Sequence, residues 1–137
     1  MKFKIKDPMI MSARVKGKHN RVREISALLD FNCHHSWISR TDAVHLGYAE
    51  VDNRPEDYKS LAPKNTPEIL TLRGLELGIL VSLTEVSIGV LHAPYVDAFI
   101  LALAPPLQLP VDLILGRSFL KNFKLVIDGK AGYLSLT

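Results

Sequence analysis

The chain has 137 residues, 47% hydrophobic and 23% charged, with a net charge of +3 at neutral pH and a single cysteine, Cys33. That length fits one domain over 1–137, able to bury a core without disulfides, and the lone cysteine excludes an intrachain disulfide and points to a reducing, cytoplasmic setting. A membrane span needs roughly 18 apolar residues in a row, and the greasiest stretch, Gly78 to Ala104, is broken by Glu85, His92, Pro94 and Asp97.

The dominant hydrophobic period is two, the spacing of strands. Met1-Lys2-Phe3-Lys4-Ile5-Lys6 alternates instead of running basic-then-apolar as a leader would. Lys2 to Lys6, Met9 to Val15 and Val22 to Leu29 read as strands, the last two joined through Gly17-Lys18-His19-Asn20. After a turn at Asp30, Ser36 to Ser39 reads as a short strand. Thr41 or Asp42 is placed to cap one or two helical turns through Ala43-Val44-His45-Leu46, with Gly47 as the stop. Residues 49–67 are polar and contain Pro55, Pro63 and Pro67, the composition of a loop. Ile69 to Leu103 carries three or four strands punctuated by Gly74, Gly78, Gly89 and Pro94, and Pro105-Pro106 with Pro110 makes a stiff connection. Val111 to Leu115 is an apolar run interrupted only by Asp112, as expected of a strand buried on both faces. Arg117 to Asn122 is a short helix candidate. Lys124 to Ile127 and Tyr133 to Leu136 close the chain as a hairpin about Asp128-Gly129-Lys130. Many short strands with one or two small helices predict an all-β barrel.

Charge is unevenly spread. Residues 1–24 hold eight Lys/Arg and two acids, whereas 25–137 hold nine and twelve. A basic segment suits a polyanion, but Lys2, Lys4 and Lys6 alternate with Phe3 and Ile5 as a solvated strand face does. No aromatic interleaving or nucleic-acid motif accompanies them, so nucleic acid is not expected as a partner.

Two segments carry potential chemistry. Ala27-Leu28-Leu29-Asp30-Phe31-Asn32-Cys33-His34-His35-Ser36-Trp37-Ile38-Ser39 places a carboxylate where an apolar strand gives way to a turn. Val111-Asp112-Leu113-Ile114-Leu115-Gly116-Arg117-Ser118-Phe119-Leu120 is an apolar run that opens into a short amphipathic stretch through Gly116-Arg117. Taken alone, Asp30 reads as a strand-end residue accepting backbone hydrogen bonds. Cys33, His34 and His35 invite a metal or a Cys–His nucleophile, and Cys33 and His35 can share a strand face. No CxxC, HExxH or second ligand pair supports a metal, and His19, His45 and His92 are scattered. Gly17, Gly74, Gly78 and Gly89 form no phosphate-binding loop. No cofactor or metal is expected.

From Met9 to Leu136 the chain resembles the retropepsin-like (retroviral and retrotransposon-type) aspartic proteases. Retrotransposon-type members often read Leu-Leu-Asp-Thr-Gly-Ala-Ser-His-Ser-Phe-Ile-Ser and then a helix ending in Leu-Gly. Leu28, Leu29, Asp30, His35, Ser36, Ile38 and Ser39 stand in identical places, Trp37 replaces an aromatic, and Ala43 and Leu46-Gly47 follow at the expected distance. Ile114-Leu115-Gly116-Arg117-Ser118-Phe119-Leu120-Lys121-Asn122-Phe123 matches the second signature, and Val126-Ile127-Asp128 with Tyr133 to Leu136 fits the close. Where that family has Asp-Thr-Gly or Asp-Ser-Gly, this chain has Asp30-Phe31-Asn32.

The resemblance implies an all-β, retropepsin-like barrel subunit with a flap hairpin at Thr71-Leu72-Arg73-Gly74. It makes Asp30 the catalytic carboxylate, Phe31, Asn32 and Cys33 its turn, and Gly116 and Arg117 the support of that turn. The family's arginine often braces an acid just beyond the triplet. His34 and His35 occupy that region here, so Arg117 is expected either to bind backbone carbonyls instead or to be an ordinary surface arginine. The family's chemistry needs two carboxylates sharing a proton, and only Asp30 follows the Leu-Leu pattern; Asp112 and Asp128 do not. A homodimer follows, with Phe3 to Lys6 and Leu134 to Thr137 as interface strands and a peptide or protein as substrate. Phe31 has no hydroxyl to bond across such a dimer. Asn32 adds a side chain where glycine allows an unusual backbone, although it tolerates a left-handed conformation better than most residues. A catalytically silent peptide-binding or scaffold dimer is the alternative. No membrane partner is expected.

Overall fold

The structure, a computed structural model, describes residues 1–48, 68–71, 74–101 and 111–137. The loop expected over 49–67, Leu72 and Arg73 of the expected flap, and Pro105, Pro106 and Pro110 lie outside the described residues.

Ten strands alternate with two short helices among these residues: β1 (Lys2–Lys4), β2 (Ile10–Lys16), β3 (Val22–Leu29), β4 (Ser36–Ile38), α1 (Arg40–His45), β5 (Glu68–Thr71), β6 (Gly74–Ile88), β7 (Leu91–Leu101), β8 (Leu113–Leu115), α2 (Arg117–Leu120), β9 (Leu125–Asp128) and β10 (Tyr133–Leu136). The larger sheet runs β2-β3-β8-β4-β7-β6-β5 and is closed by a further β2–β6 pairing. Six strands therefore form a barrel, and β5 hangs on β6 as a hairpin arm. The barrel is mixed: β3–β8 and β4–β7 are parallel and the remaining pairs antiparallel.

Closure follows from side-chain pattern. Ala13 and Val15 on β2 and Ile25, Ala27 and Leu29 on β3 turn inward at period two and are buried, as are Leu83 and Val86 on either side of an irregularity in β6. They meet Ile38, Ile100, Leu113, Leu115 and Phe119 in one cluster. Fully buried side chains such as Leu115 and Phe119 each contribute roughly 1.5–3 kcal/mol by leaving water. Strand β8 is apolar throughout because both of its faces are covered. Leu113 and Leu115 join that inner core, whereas Ile114 joins Leu28, Trp37, Phe99 and Val111 in a second cluster on the opposite face of the sheet.

Two expectations are corrected. The chain after Ile69 is not cut at Gly78 or Pro94, because β6 runs fifteen residues and β7 eleven. The β6–β7 ladder steps from Leu83↔Val96 to Glu85↔Pro94, and Tyr95 adopts a positive φ of 51°. That local break accommodates the proline without ending the strand. Thr84 Nα–H, opposite the break, donates instead to the Tyr48 hydroxyl at 3.2 Å, and the Thr84 hydroxyl donates to Gly17 O at 3.0 Å. The second correction concerns α1, which is capped by Ser39 and not by Thr41 or Asp42. Ser39 Oγ accepts from Asp42 N–H at 3.2 Å and donates to the Asp42 carboxylate at 2.9 Å. Asp42 is buried, and its other oxygen meets Arg23 at 2.5 Å. The helix stops at Gly47, whose φ of +86° suits glycine.

The terminal strands form a three-stranded sheet in the order β1-β10-β9 within the one chain. Phe3, Leu134 and Ile127 lie opposite one another across it, and Leu134 and Leu136 are buried in the inner core. The basic amino-terminal residues are dispersed over the strands: Arg23 pairs with Asp42, Arg14 lies opposite Glu24, and Lys2 and Lys4 flank the inward Phe3.

Removing the cap should loosen α1 and leave Asp42 without its hydroxyl donor. Ser39→Ala is expected to cost about 1–2 kcal/mol, read as a lower urea midpoint with an unchanged slope. An unchanged midpoint would show that the cap contributes nothing.

Candidate active site

Strand β3 pairs in parallel with β8 through Ala27↔Leu113, Leu28↔Ile114 and Leu29↔Leu115. One residue further, Asp30 N–H still donates to Leu115 O at 3.0 Å, so the carboxylate leaves the barrel at the point where this ladder ends. The chain then turns: Cys33 N–H donates to Asp30 O at 3.3 Å, and Asn32 N–H donates to Asp30 Oδ1 at 3.0 Å. One carboxylate oxygen is thereby fixed by the backbone of its own turn, and Asp30 remains half-exposed.

The Phe31-Asn32 departure from the family triplet is accommodated physically. Asn32 is exposed and is not among the residues with positive φ, so the turn does not need a glycine at this position. The left-handed conformation considered for Asn32 is not adopted. Its backbone N–H, which any non-proline residue supplies, makes the contact to Asp30. Phe31 packs against the chain's own inner core as a partly buried ring.

Beyond the turn, each candidate ligand is engaged elsewhere. The Trp37 indole N–H donates to Cys33 Sγ at 3.1 Å. The His35 ring stands edge-on to Phe99 with centroids 4.9 Å apart. His34 Nδ1 lies 3.3 Å from an Arg117 guanidinium nitrogen; guanidinium only donates, so this nitrogen carries the lone pair and Nε2 the proton. Among the described residues, no group of three or more His, Cys, Asp or Glu is placed to hold a metal ion.

Gly116 and Arg117 both reach the turn, in different ways. A Cβ on Gly116 would overlap His35 O and stand 2.5 Å from Cys33 O, so the two carbonyls occupy the space a side chain would need. Gly116 N–H donates to the Ser36 hydroxyl at 3.1 Å. Arg117 contributes its backbone, its N–H donating to Cys33 O at 2.9 Å, while its exposed guanidinium meets His34. The expectation that the guanidinium binds carbonyls is corrected: the backbone N–H serves Cys33 O, and a histidine ring takes the place of the missing acid.

Asp42, Asp112 and Asp128 take no part in the Asp30 turn. Asp42 serves Arg23 and Ser39, and Asp128 accepts from Ala131 N–H within the last hairpin. Asp112 is exposed, and its backbone carbonyl accepts from Ser39 N–H. Thr71 pairs with Gly74 at the end of the β5–β6 hairpin, the position expected of a flap. Hydrophobic period does not mark Ser36, a fully buried hydroxyl at the head of β4, or Ser118 as site residues. Both lie within the two family-like signatures, but nothing there gives either serine a role; Ser36 also opens the otherwise apolar strand Ser36-Trp37-Ile38.

This fold has known counterparts. A retropepsin-like aspartic protease from Rickettsia conorii superposes with a TM-score of 0.64 at 19% identity, covering 98% of this chain and 97% of that one. The retroviral protease-like domain of Ddi1 from Leishmania major gives a TM-score of 0.56 at 15% identity, covering 94% of this chain and 87% of that one. No protein-family model matches the chain, and no curated protein sequence does. The chain thus has the retropepsin-like fold over nearly its whole length.

Gly116→Ala forces the added methyl into the Cys33 and His35 carbonyls, so it is expected to cost about 1–3 kcal/mol by overpacking. Thermal unfolding would read the loss, and amide spectra should move at residues 33–36. A variant as stable as the parent with unchanged spectra would contradict the close packing.

Proposed function

We propose that the protein is a homodimeric aspartic endopeptidase in which Asp30 of each subunit contributes one of the two catalytic carboxylates. The observation that carries this reading is the Asp30 turn. It leaves the barrel between β3 and β8, is held by its own backbone, and keeps a half-exposed carboxylate in a fold shared with aspartic proteases. Only Asp30 follows the Leu-Leu-Asp pattern in the sequence, so a second copy must supply the other acid. With one acid ionised and its partner protonated, the pair removes a proton from a water as it attacks the scissile carbonyl. The pair then returns a proton to the leaving amine, and both carboxyl groups end with the proton they shared. The β5–β6 arm and its Thr71–Gly74 end fit a flap over an extended peptide, a substrate form that a strand-rich groove binds through main-chain hydrogen bonds.

A specific observation supports a second reading, a catalytically silent dimer that captures peptides. Phe31 sits where the family places a hydroxyl and packs on the chain's own core, so it offers no hydrogen bond across a dimer. Peptide capture without cleavage at any pH would favour this reading.

The deciding experiment incubates purified protein with an unfolded protein and a peptide library from acid to neutral pH. Cleavage is expected, with a fall of about 10²–10⁴-fold or more in Asp30→Asn at retained fold and dimerisation. Undiminished cleavage in Asp30→Asn would reject Asp30 chemistry.

A further inference from the structure

The hydroxyl beneath the active-site turn belongs to a longer path whose direction can be derived by counting protons. Ser118, in the first turn of α2, has its Oγ 2.7 Å from the backbone carbonyl of Asp97 on β7. A carbonyl only accepts, so the single Ser118 proton is committed there. The same Oγ lies 2.6 Å from Ser36 Oγ. With the Ser118 proton spent, Ser36 must donate in this bond. Ser36 Oγ in turn accepts from Gly116 N–H at 3.1 Å. The path therefore runs one way, from Gly116 N–H to the Ser36 hydroxyl, to the Ser118 hydroxyl, to Asp97 C=O.

This path joins four elements that no single pairing connects: the end of the active-site turn at the head of β4, the exit of β8, the start of α2, and the middle of β7. Ser36 and Gly116 are buried, so a broken link is not repaired by bulk water and costs more than an exposed one. The turn it anchors is short. Asp30 N–H is held by Leu115 O, its carboxylate by Asn32 N–H, and Cys33 O by Arg117 N–H; at the far end of the segment, beyond His34 and His35, Ser36 is paired with Ala98 of β7 and tied by its hydroxyl to Gly116. Loss of the relay removes the side-chain hold on that end, and the small shift that follows is passed back through the turn to the Asp30 carboxylate.

We infer that Ser36 and Ser118 are positioning residues that set the orientation of the Asp30 carboxylate through a directed hydroxyl relay ending on the β7 backbone. This rests on the peptidase reading for its kinetic consequence but not for its geometric one. Ser118 is the better site to test, because it is half-buried and a methyl group can be added there with less crowding than at the fully buried Ser36.

The test compares full-length wild type, Ser118→Ala, Ser118→Val and Ser118→Thr. Val and Thr have the same shape and differ in the hydroxyl, so a purely steric role would affect both alike. In the peptidase assay, Ala and Val are expected to lower kcat about 10–100-fold, the scale of a small misplacement of a reacting group, with KM changed less than about threefold. Thr should restore most of the loss. A kcat within about twofold of wild type in Ser118→Ala, or a loss that Thr does not reverse while Val matches it, would overturn the inference. A second arm needs no cleavage: the Asp30 side-chain carboxyl carbon resonance is recorded for each protein at one fixed pH. Ala and Val should displace it from the wild-type position as the carboxylate reorients, and Thr should return it. An undisplaced resonance in a folded Ser118→Ala protein overturns the inference, even if the wild type proves to be no peptidase. Failure of the peptidase reading alone would appear as an inactive wild type whose Asp30 resonance still responds to the hydroxyl.

Discussion

No side chain fits on residue 116, and the geometry of the site depends on that constraint. Strand β8 ends against the turn that begins at Asp30, and the Cys33 and His35 carbonyls press on Gly116 Cα from the space a Cβ would fill. That approach places Gly116 and Arg117 N–H groups within reach of Ser36 Oγ and Cys33 O. It also lets the parallel β3–β8 ladder continue one hydrogen bond past its last strand pair, to Asp30 itself. The close packing at Gly116 is thus what converts a loop after a strand into a held carboxylate.

The altered triplet separates what this turn requires from what the family usually places in it. The turn needs a backbone N–H two residues past the acid, which Asn32 supplies without positive φ. It does not need glycine on conformational grounds. The hydroxyl at the middle position has no counterpart, because Phe31 is used for core packing within the chain. Phe31 instead contributes apolar contact within the chain. Holding the turn and joining two copies are separate physical tasks, and the divergent residues act on the first. The β1-β10-β9 sheet fits this division, since both chain ends are paired inside the chain and the outer edges of β1 and β9 are left over.

Much of this was legible in the sequence because it is written in period and spacing. The two-residue alternation located β2, β3 and the final hairpin to within a residue or two, and the apolar run marked β8 as covered on both faces. Asp30, Gly116 and Arg117 were found through two short signatures, and the fold brings them together through β3 and β8. The failures share a cause, which is that they depend on neighbours distant in sequence. Pro94 and Gly78 look like strand breaks locally, yet the barrel carries β6 and β7 through them, with Tyr95 absorbing the irregularity and Tyr48 satisfying the freed N–H. The cap of α1 is the exception, since Ser39 and Asp42 stand three residues apart and exchange both capping bonds locally, with Arg23 of another strand holding the other Asp42 oxygen. Ser36 and Ser118 stand 82 residues apart, and nothing in either flank announces that their hydroxyls meet.

If one active site needs Asp30 from two chains, subunit mixing reveals it. Wild type and Asp30→Asn chains are combined at equal concentration, allowed to exchange, and assayed at fixed total protein concentration. If only a dimer with both carboxylates works, a one-to-one mixture should retain about one quarter of the activity of an equal amount of all-wild-type protein. Retention of about one half, falling linearly as the variant fraction rises, would mean that each chain acts alone and would contradict the account.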